Sequence, residues 1–407
     1  MDGIASLAKT CGDDTDQGLD LFQKYEPSNI YSFSKYVQHK PINALSENGP
    51  YKFEIGGFNS KEFIMLKSLR MSITLKIVVD DNTSQGQNLT ELHKGKISVV
   101  NTIGHALWDT IGVTLNNELI SEGNRTYPYR AYIQQVFSYS KASKDANLNC
   151  EYFKKDEIAR SIDVDPGCPG FKERGKPIDG SKEITVSIVP YIDILNTVHF
   201  LAPNHKLTLE FERNRPEFYI LTNMEGRFKA VITDLSIFVR KVELAPAIAS
   251  KIEQKQSHSP IYYPITRSII RKFQIHAGVS LIYIPNMFNA RLPRSIYIVF
   301  LNNKQYPGAY NVNPFVFQSY NIREASVNLN GFPYPAQPLK FDFDKGDIRE
   351  GYRWFLDNIG LYFTKQVSTT FILSLLCFTR KKISVNIQLC YEKSMVKLRV
   401  KQKNVLK

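Results

Sequence analysis

The chain has little of what most enzymes and membrane proteins are built on. Its five cysteines, Cys11, Cys150, Cys168, Cys377 and Cys390, are an odd, scattered set among 407 residues. None has the two-residue spacing of a zinc or redox motif, so the chain reads as reduced and made inside a cell. Long apolar runs are missing too. Phe371–Phe378 (FILSLLCF) carries a serine inside it, far short of the roughly 20 apolar residues a helix needs to cross a bilayer. Asp2 stands where a secretory signal would be basic, and no apolar stretch follows, so neither a signal peptide nor a transmembrane segment is expected.

Phosphate-binding loops of the GxGxxG or GxxxxGK[ST] kind do not occur, nor does GxSxG or HExxH. The seven histidines are isolated; His199 and His205, six apart, are the nearest pair, and a third metal ligand is wanting. Asp163 and Asp165, and again Asp342, Asp344 and Asp347, alternate as cation ligands can. The following residues do not continue a calcium loop, and turns explain both sets. No cofactor or small-molecule substrate is implied, and the chain is not expected to be an enzyme.

Acids are also in deficit, 39 against 52 lysines and arginines, for a net charge of +13. The imbalance peaks in 379–407. There Arg380, Lys381, Lys382, Lys397, Arg399, Lys401 and Lys403 stand among nine cations against Glu392 alone. Such a stretch suits non-specific contact with nucleic-acid phosphates, or equally a strand edge guarded by lysine. Tyr391 is its one aromatic, few for base stacking.

What is abundant is strand-forming material: 25 Phe, 22 Tyr and 43% hydrophobic residues overall. Met71, Ile73, Leu75, Ile77 and Val79 alternate as a half-buried strand. Similar alternation recurs at Ile184–Ile188, Leu207–Phe211, Leu235–Val239, Ile296–Phe300 and Ile383–Leu389. Asn116-Asn117 and Asn330-Gly331 read as hairpin turns. One segment reads as helix, where Tyr129, Tyr132, Ile133, Val136 and Phe137 make a stripe behind Pro128. These features predict an all-β chain of sandwich type. A polar arm spans 1–47, a first sandwich 48–245, a linker 246–262 and a second sandwich 263–407. The polar stretch 141–182, with Pro166, Gly167, Pro169 and Gly170, is expected to be a long surface loop.

Several blocks, in order, resemble the major capsid proteins of Maverick/Polinton elements and their adintovirus relatives. Asn116 opens a short hairpin, and Tyr127, Pro128, Tyr129, Arg130, Ala131 and Tyr132 match the family's helix in full; Asn117 stands where Gly is usual. GPYKFEIGG from Gly49, LTLEFERNRPEFYIL from Leu207 and IYYPITRSIIRKF from Ile261 are similar to further family blocks. So is the stretch from Leu292 that includes Asn313, Pro314 and Phe315. The likeness covers roughly 40–360, with SVNIQLCYEKSMVKLRVKQKNVL as a closing strand. Between Leu361 and Ile383 the sequence is shorter than the family pattern.

The resemblance implies a double jelly roll: two antiparallel eight-stranded sandwiches with one or two short helices in connecting loops. It implies homotrimers of pseudo-hexagonal outline in a capsid lattice, a minor or penton partner, packaged DNA, and a place in the virion. Two other readings stay open from the residues: a lectin-like binding module, and an element-derived copy in a host genome that no longer assembles. A cupin-like enzyme would want a close His, His and carboxylate set.

Overall fold

The computed structural model describes residues 31–45, 49–56, 61–80, 86–121, 125–139, 141–154, 156, 162–256, 258–285, 295–329, 332–359, 375–379 and 396–402. The first half opens with β1 (Tyr31–His39), β2 (Tyr51–Gly56), β3 (Glu62–Val79) and β4 (Ile97–Val99). Helix α1 (Ile103–Ala106), β5 (Trp108–Leu115), β6 (Glu118–Ser121), α2 (Tyr127–Ser138), α3 (Lys141–Ala146) and α4 (Pro169–Gly175) follow. Then come β7 (Ile184–Ile188), β8 (Lys206–Arg213), α5 (Pro216–Tyr219), β9 (Ile220–Thr222), β10 (Phe228–Leu244) and α6 (Pro246–Gln256).

Set aside the small β4–β9 pair, and eight strands remain in two antiparallel sheets, β1-β10-β3-β7 and β2-β8-β5-β6. Their pairing is nested. The first strand pairs with the last (β1·β10), the second with the seventh (β2·β8), the third with the sixth (β3·β7) and the fourth with the fifth (β5·β6). Such a pattern is one long hairpin rolled up on itself, a jelly roll. The alternation read from the sequence fills its interior. Met71, Ile73, Leu75 and Ile77 from one sheet share a single buried core with Phe53, Ile55, Leu207, Leu209 and Phe211 from the other. Trp108 closes the gap, its ring 5.7 Å from Tyr51 and 5.2 Å from Phe211. The β5–β6 hairpin turns on Asn116 (φ 50°) and Asn117 (φ 69°), the left-handed conformations expected of a two-residue turn.

The second half carries β11 (Leu281–Ile284), β12 (Ser295–Val299), β13 (Ile322–Leu329), β14 (Phe332–Lys340), α7 (Arg349–Ile359), β15 (Leu375–Thr379) and β16 (Val396–Gln402). It repeats the outer layers of the same winding: β11 pairs with β16, β12 with β15, and β16 with β13. Where the first roll spreads its inner strands over 80–205, the second has 330–374 between β13 and β15. The described part of that interval holds β14 and a helix. The expected shortening near 361–383 falls mostly outside the described residues, as does the Asn330-Gly331 turn.

Three expectations need correction. Tyr31–His39 lies inside the supposed unstructured arm, yet it is a strand, in register on β10 from Tyr31↔Leu244 to His39↔Ile237. Backbone pairing holds it, and most of its side chains stay exposed, which is why hydrophobic alternation gave no signal. The supposed surface loop 141–182 is packed into the molecule. Leu148, Phe153, Phe171 and Ile178 belong to the main core, and its polar residues bury by pairing with one another. Residues 246–262, read as a linker, begin with α6, whose Ile248, Ala249 and Ile252 pack on Phe63, Val242 and Leu244.

Candidate functional site

The residues singled out by the family resemblance, Asn116 apart, converge on one buried junction between the two rolls. Helix α2 begins beside Thr126 with Pro128 in its first turn, where a missing N–H is harmless. Its buried face is Tyr127, Pro128, Tyr129, Ala131, Tyr132 and Gln135, turned from the predicted stripe. Gln135 goes inside because its amide donates to buried Glu151, while Phe137 meets Tyr297 of β12 at 5.0 Å.

Phe315, from the second half, enters the core of the first. Its ring stacks on Tyr132 at 4.4 Å and 8°, and meets Tyr129 and Phe218 edge-on at 6.0 and 5.8 Å. Edge-to-face and offset rings of this kind add to simple burial. Asn313 shapes the approach. Its side-chain oxygen accepts the Phe315 N–H at 3.0 Å, and its own N–H donates to Ile162, with Pro314 buried between. Fully buried Gln305 ties the loop: its amide donates to the Asn313 and Val316 carbonyls, and its backbone carbonyl accepts the Tyr129 hydroxyl. Gly308 (φ +81°) lies so close that a Cβ there would stand 2.7 Å from the Phe218 Cα. Only glycine allows that approach.

Polar groups lock the same region. Arg130 pairs with Asp193, whose other oxygen accepts the Ser268 N–H at 3.3 Å. The Tyr191 N–H donates to the Tyr127 hydroxyl, which lies 2.9 Å from His105 Nδ1. That leaves His105 Nε2–H to donate to Glu151 at 3.2 Å. Arg174 reaches Asp156 at 2.9 Å and donates to Asn101 and two backbone carbonyls. Burial pushes the hydroxyls of Tyr127, Tyr129, Tyr132 and Tyr191 above the ordinary tyrosine value. A Tyr–His–Glu chain resembles an acid–base relay. Here His105 is 1% exposed and both ring nitrogens are already bonded, so the chain acts as a structural clasp. Sequence reading missed His105, Glu151, Arg174 and Asp156, which are too far apart along the chain to form a motif.

The remaining candidates scatter. Asn116 caps its hairpin by accepting the Lys206 N–H at 2.8 Å. Lys397, Arg399 and Lys401 take alternate positions on β16, which lies between β11 and β13 and is therefore not a strand edge. Arg380, Lys381, Lys382 and Lys403 lie outside the described residues. His199 bonds the Tyr262 carbonyl and His205 the Pro203 carbonyl. Asp165 accepts the Gly167 N–H, and Asp342 the Lys345 N–H, both as turn formers. Among the described residues no group of three or more His, Cys, Asp or Glu gathers to hold a metal, and no helix is long and apolar enough to cross a membrane.

No family model matches the chain. An uncharacterized protein of Caenorhabditis elegans is 25% identical over 324 residues, 78% of this chain and 75% of its own length. Among solved structures, a chain of the Sputnik virophage particle superposes with a TM-score of 0.53 at 10% identity, covering 95% of this chain and 85% of that one. A chain of the PBCV-1 virus capsid gives 0.52 at 12% identity, covering 94% and 87%. PBCV-1 VP54, fitted into a reconstruction of Sputnik, gives 0.54 at 10% identity over 94% and 87%. These neighbours are viral major capsid proteins of the double jelly-roll type. The fold of this chain is the double jelly roll.

Proposed function

We propose that the protein is a structural subunit of an icosahedral viral or virus-like capsid, of the Maverick/Polinton kind, and not an enzyme. One observation carries this reading: the positions that resemble the family motif, Tyr127–Tyr132 and Asn313–Phe315, meet at the buried junction that joins one roll to the other. A capsid subunit needs its two rolls held as one rigid piece, because three subunits then present six similar lobes and approximate sixfold symmetry. The titratable groups at the junction are spent on holding it, which suits a building block better than a catalyst. Homotrimers, a minor or penton protein and packaged DNA are the partners this reading calls for. Lys397, Arg399 and Lys401 of β16 are positions where phosphate contact is proposed.

Light scattering of the purified protein, followed by negative-stain microscopy of the same fraction, tests it. The expected result is three times the mass of the chain and a pseudo-hexagonal outline. A monomer at every concentration tried overturns the reading.

A further inference from the structure

The connection between the rolls is chemically one-sided. From Gln254 to Arg323 the sequence contains no aspartate or glutamate, while Lys255, Arg267, Arg271, Lys272, Arg291, Arg294, Lys304 and Arg323 all fall within it. Between α6 and β11 the chain runs as an irregular strap. It is pinned to the first roll where the Tyr262 carbonyl faces His199, the Tyr263 hydroxyl accepts the Ala202 N–H, and the Ser268 N–H meets Asp193.

With its backbone held, the strap displays its side chains. Arg267 and Arg271 are exposed, and among the described residues no ion pair engages either. Lys272 lies over the Tyr306 ring at 4.6 Å, also bonds its hydroxyl, and acts on Asp109 electrostatically. Tyr262 is 75% and Phe273 47% exposed, so aromatic rings flank the arginines at both ends. The basic tail lacks such interleaving.

We infer that the strap 262–276 is a nucleic-acid-binding surface that takes phosphate backbone without sequence preference, through Arg267 and Arg271, and stacks exposed bases on Tyr262 and Phe273. Clustered cations in a stretch of sequence that carries no acid supply the phosphate contacts. Exposed rings beside them form the platform that single strands use. A lipid surface fits less well, because the strap is not an amphipathic helix with one apolar face to bury. The inference deepens the capsid reading by naming where packaged nucleic acid is met, and it makes the strap side of the subunit the inward one.

The test uses the full chain and two fluorescent probes, a single-stranded and a double-stranded DNA of 20 nucleotides or base pairs (about the length a strap contact and its flanks need). Wild type should bind both, with affinity falling as salt rises. Arg267→Gln with Arg271→Gln should lower affinity at least about tenfold and reduce the slope of log affinity against log salt by about 2. Tyr262→Ala with Phe273→Ala should weaken single-stranded binding about tenfold and duplex binding less. Solution mass and melting temperature should not move.

Four outcomes overturn the inference. Wild type binds neither probe at low salt. The arginine variant keeps full affinity while Lys397→Gln, Arg399→Gln, Lys401→Gln abolishes it, placing contact on β16. Anionic vesicles bind and DNA does not. The arginine variant loses mass but not DNA affinity, making the strap a contact between copies. A monomer that still binds through the strap would sink the capsid reading and leave this inference standing.

Discussion

Tyr132 and Phe315 stack on one another although they belong to different rolls. Phe315→Ala removes the ring from between Tyr132, Tyr129 and Phe218 and leaves a void. Urea denaturation should show a loss of about 3–5 kcal/mol. The buried pair Arg174–Asp156 behaves differently. Arg174→Met alone strands a buried carboxylate and should cost about 3–5 kcal/mol, whereas Arg174→Met with Asp156→Leu should recover most of it. Neither site was legible as a pair in the sequence. Tyr132 stood out in a helical stripe and Phe315 in a family block, but no local rule links residues so far apart. The buried ion pair was hidden further, because Asp156 and Arg174 sit in a stretch whose polar composition argues for the surface. That composition misleads wherever polar groups satisfy each other.

Strands and turns divide by what holds them. β3 was plain from its alternation because one face is buried, and the Asn116-Asn117 turn was plain because few residues accept positive φ. Asn117→Val should therefore cost about 1–2 kcal/mol in thermal unfolding, while Asn117→Gly is tolerated. β1 was not legible, since an edge strand held by backbone bonds has no obligatory apolar face. It carries a pH dependence of its own. Burial, and secondarily Lys241, lowers the His39 pKa below the ordinary 6.5. The unfolded chain then takes up a proton before the folded one does. Stability is present in full above that value and is lost as pH falls toward the depressed folded one. Wild type should lose melting temperature between pH 7.5 and 5.5 (a window of about a unit either side of histidine's ordinary value). His39→Gln should flatten that part of the profile.

At the scale of the molecule, the sequence pointed to two sandwiches, and the residues between them to a simple linker. The second roll instead supplies part of the first roll's core, so the two are not independent. Tyr306, Tyr310 and Phe317 pack on that core beside Phe315. Unfolding should consequently be a single transition by calorimetry and fluorescence alike, and residues 1–262 expressed alone should fail to give a soluble, cooperatively melting product.

The nested winding also fixes when the protein can fold. Tyr31 cannot meet Leu244, nor Leu281 meet Lys401, until nearly the whole of each roll has left the ribosome. At roughly 5–20 residues per second, β1 waits on the order of ten seconds or more for β10, and the first core waits longer still for Phe315. During that interval the edges of β1 and β3 that β10 will cover stand open, so nascent chains are the form most prone to aggregate and most dependent on chaperones. A chain released before Val396 leaves β11 and β13 without the strand between them. Completion of the second roll thus waits on β16, and products truncated before it are expected to be cleared rather than retained.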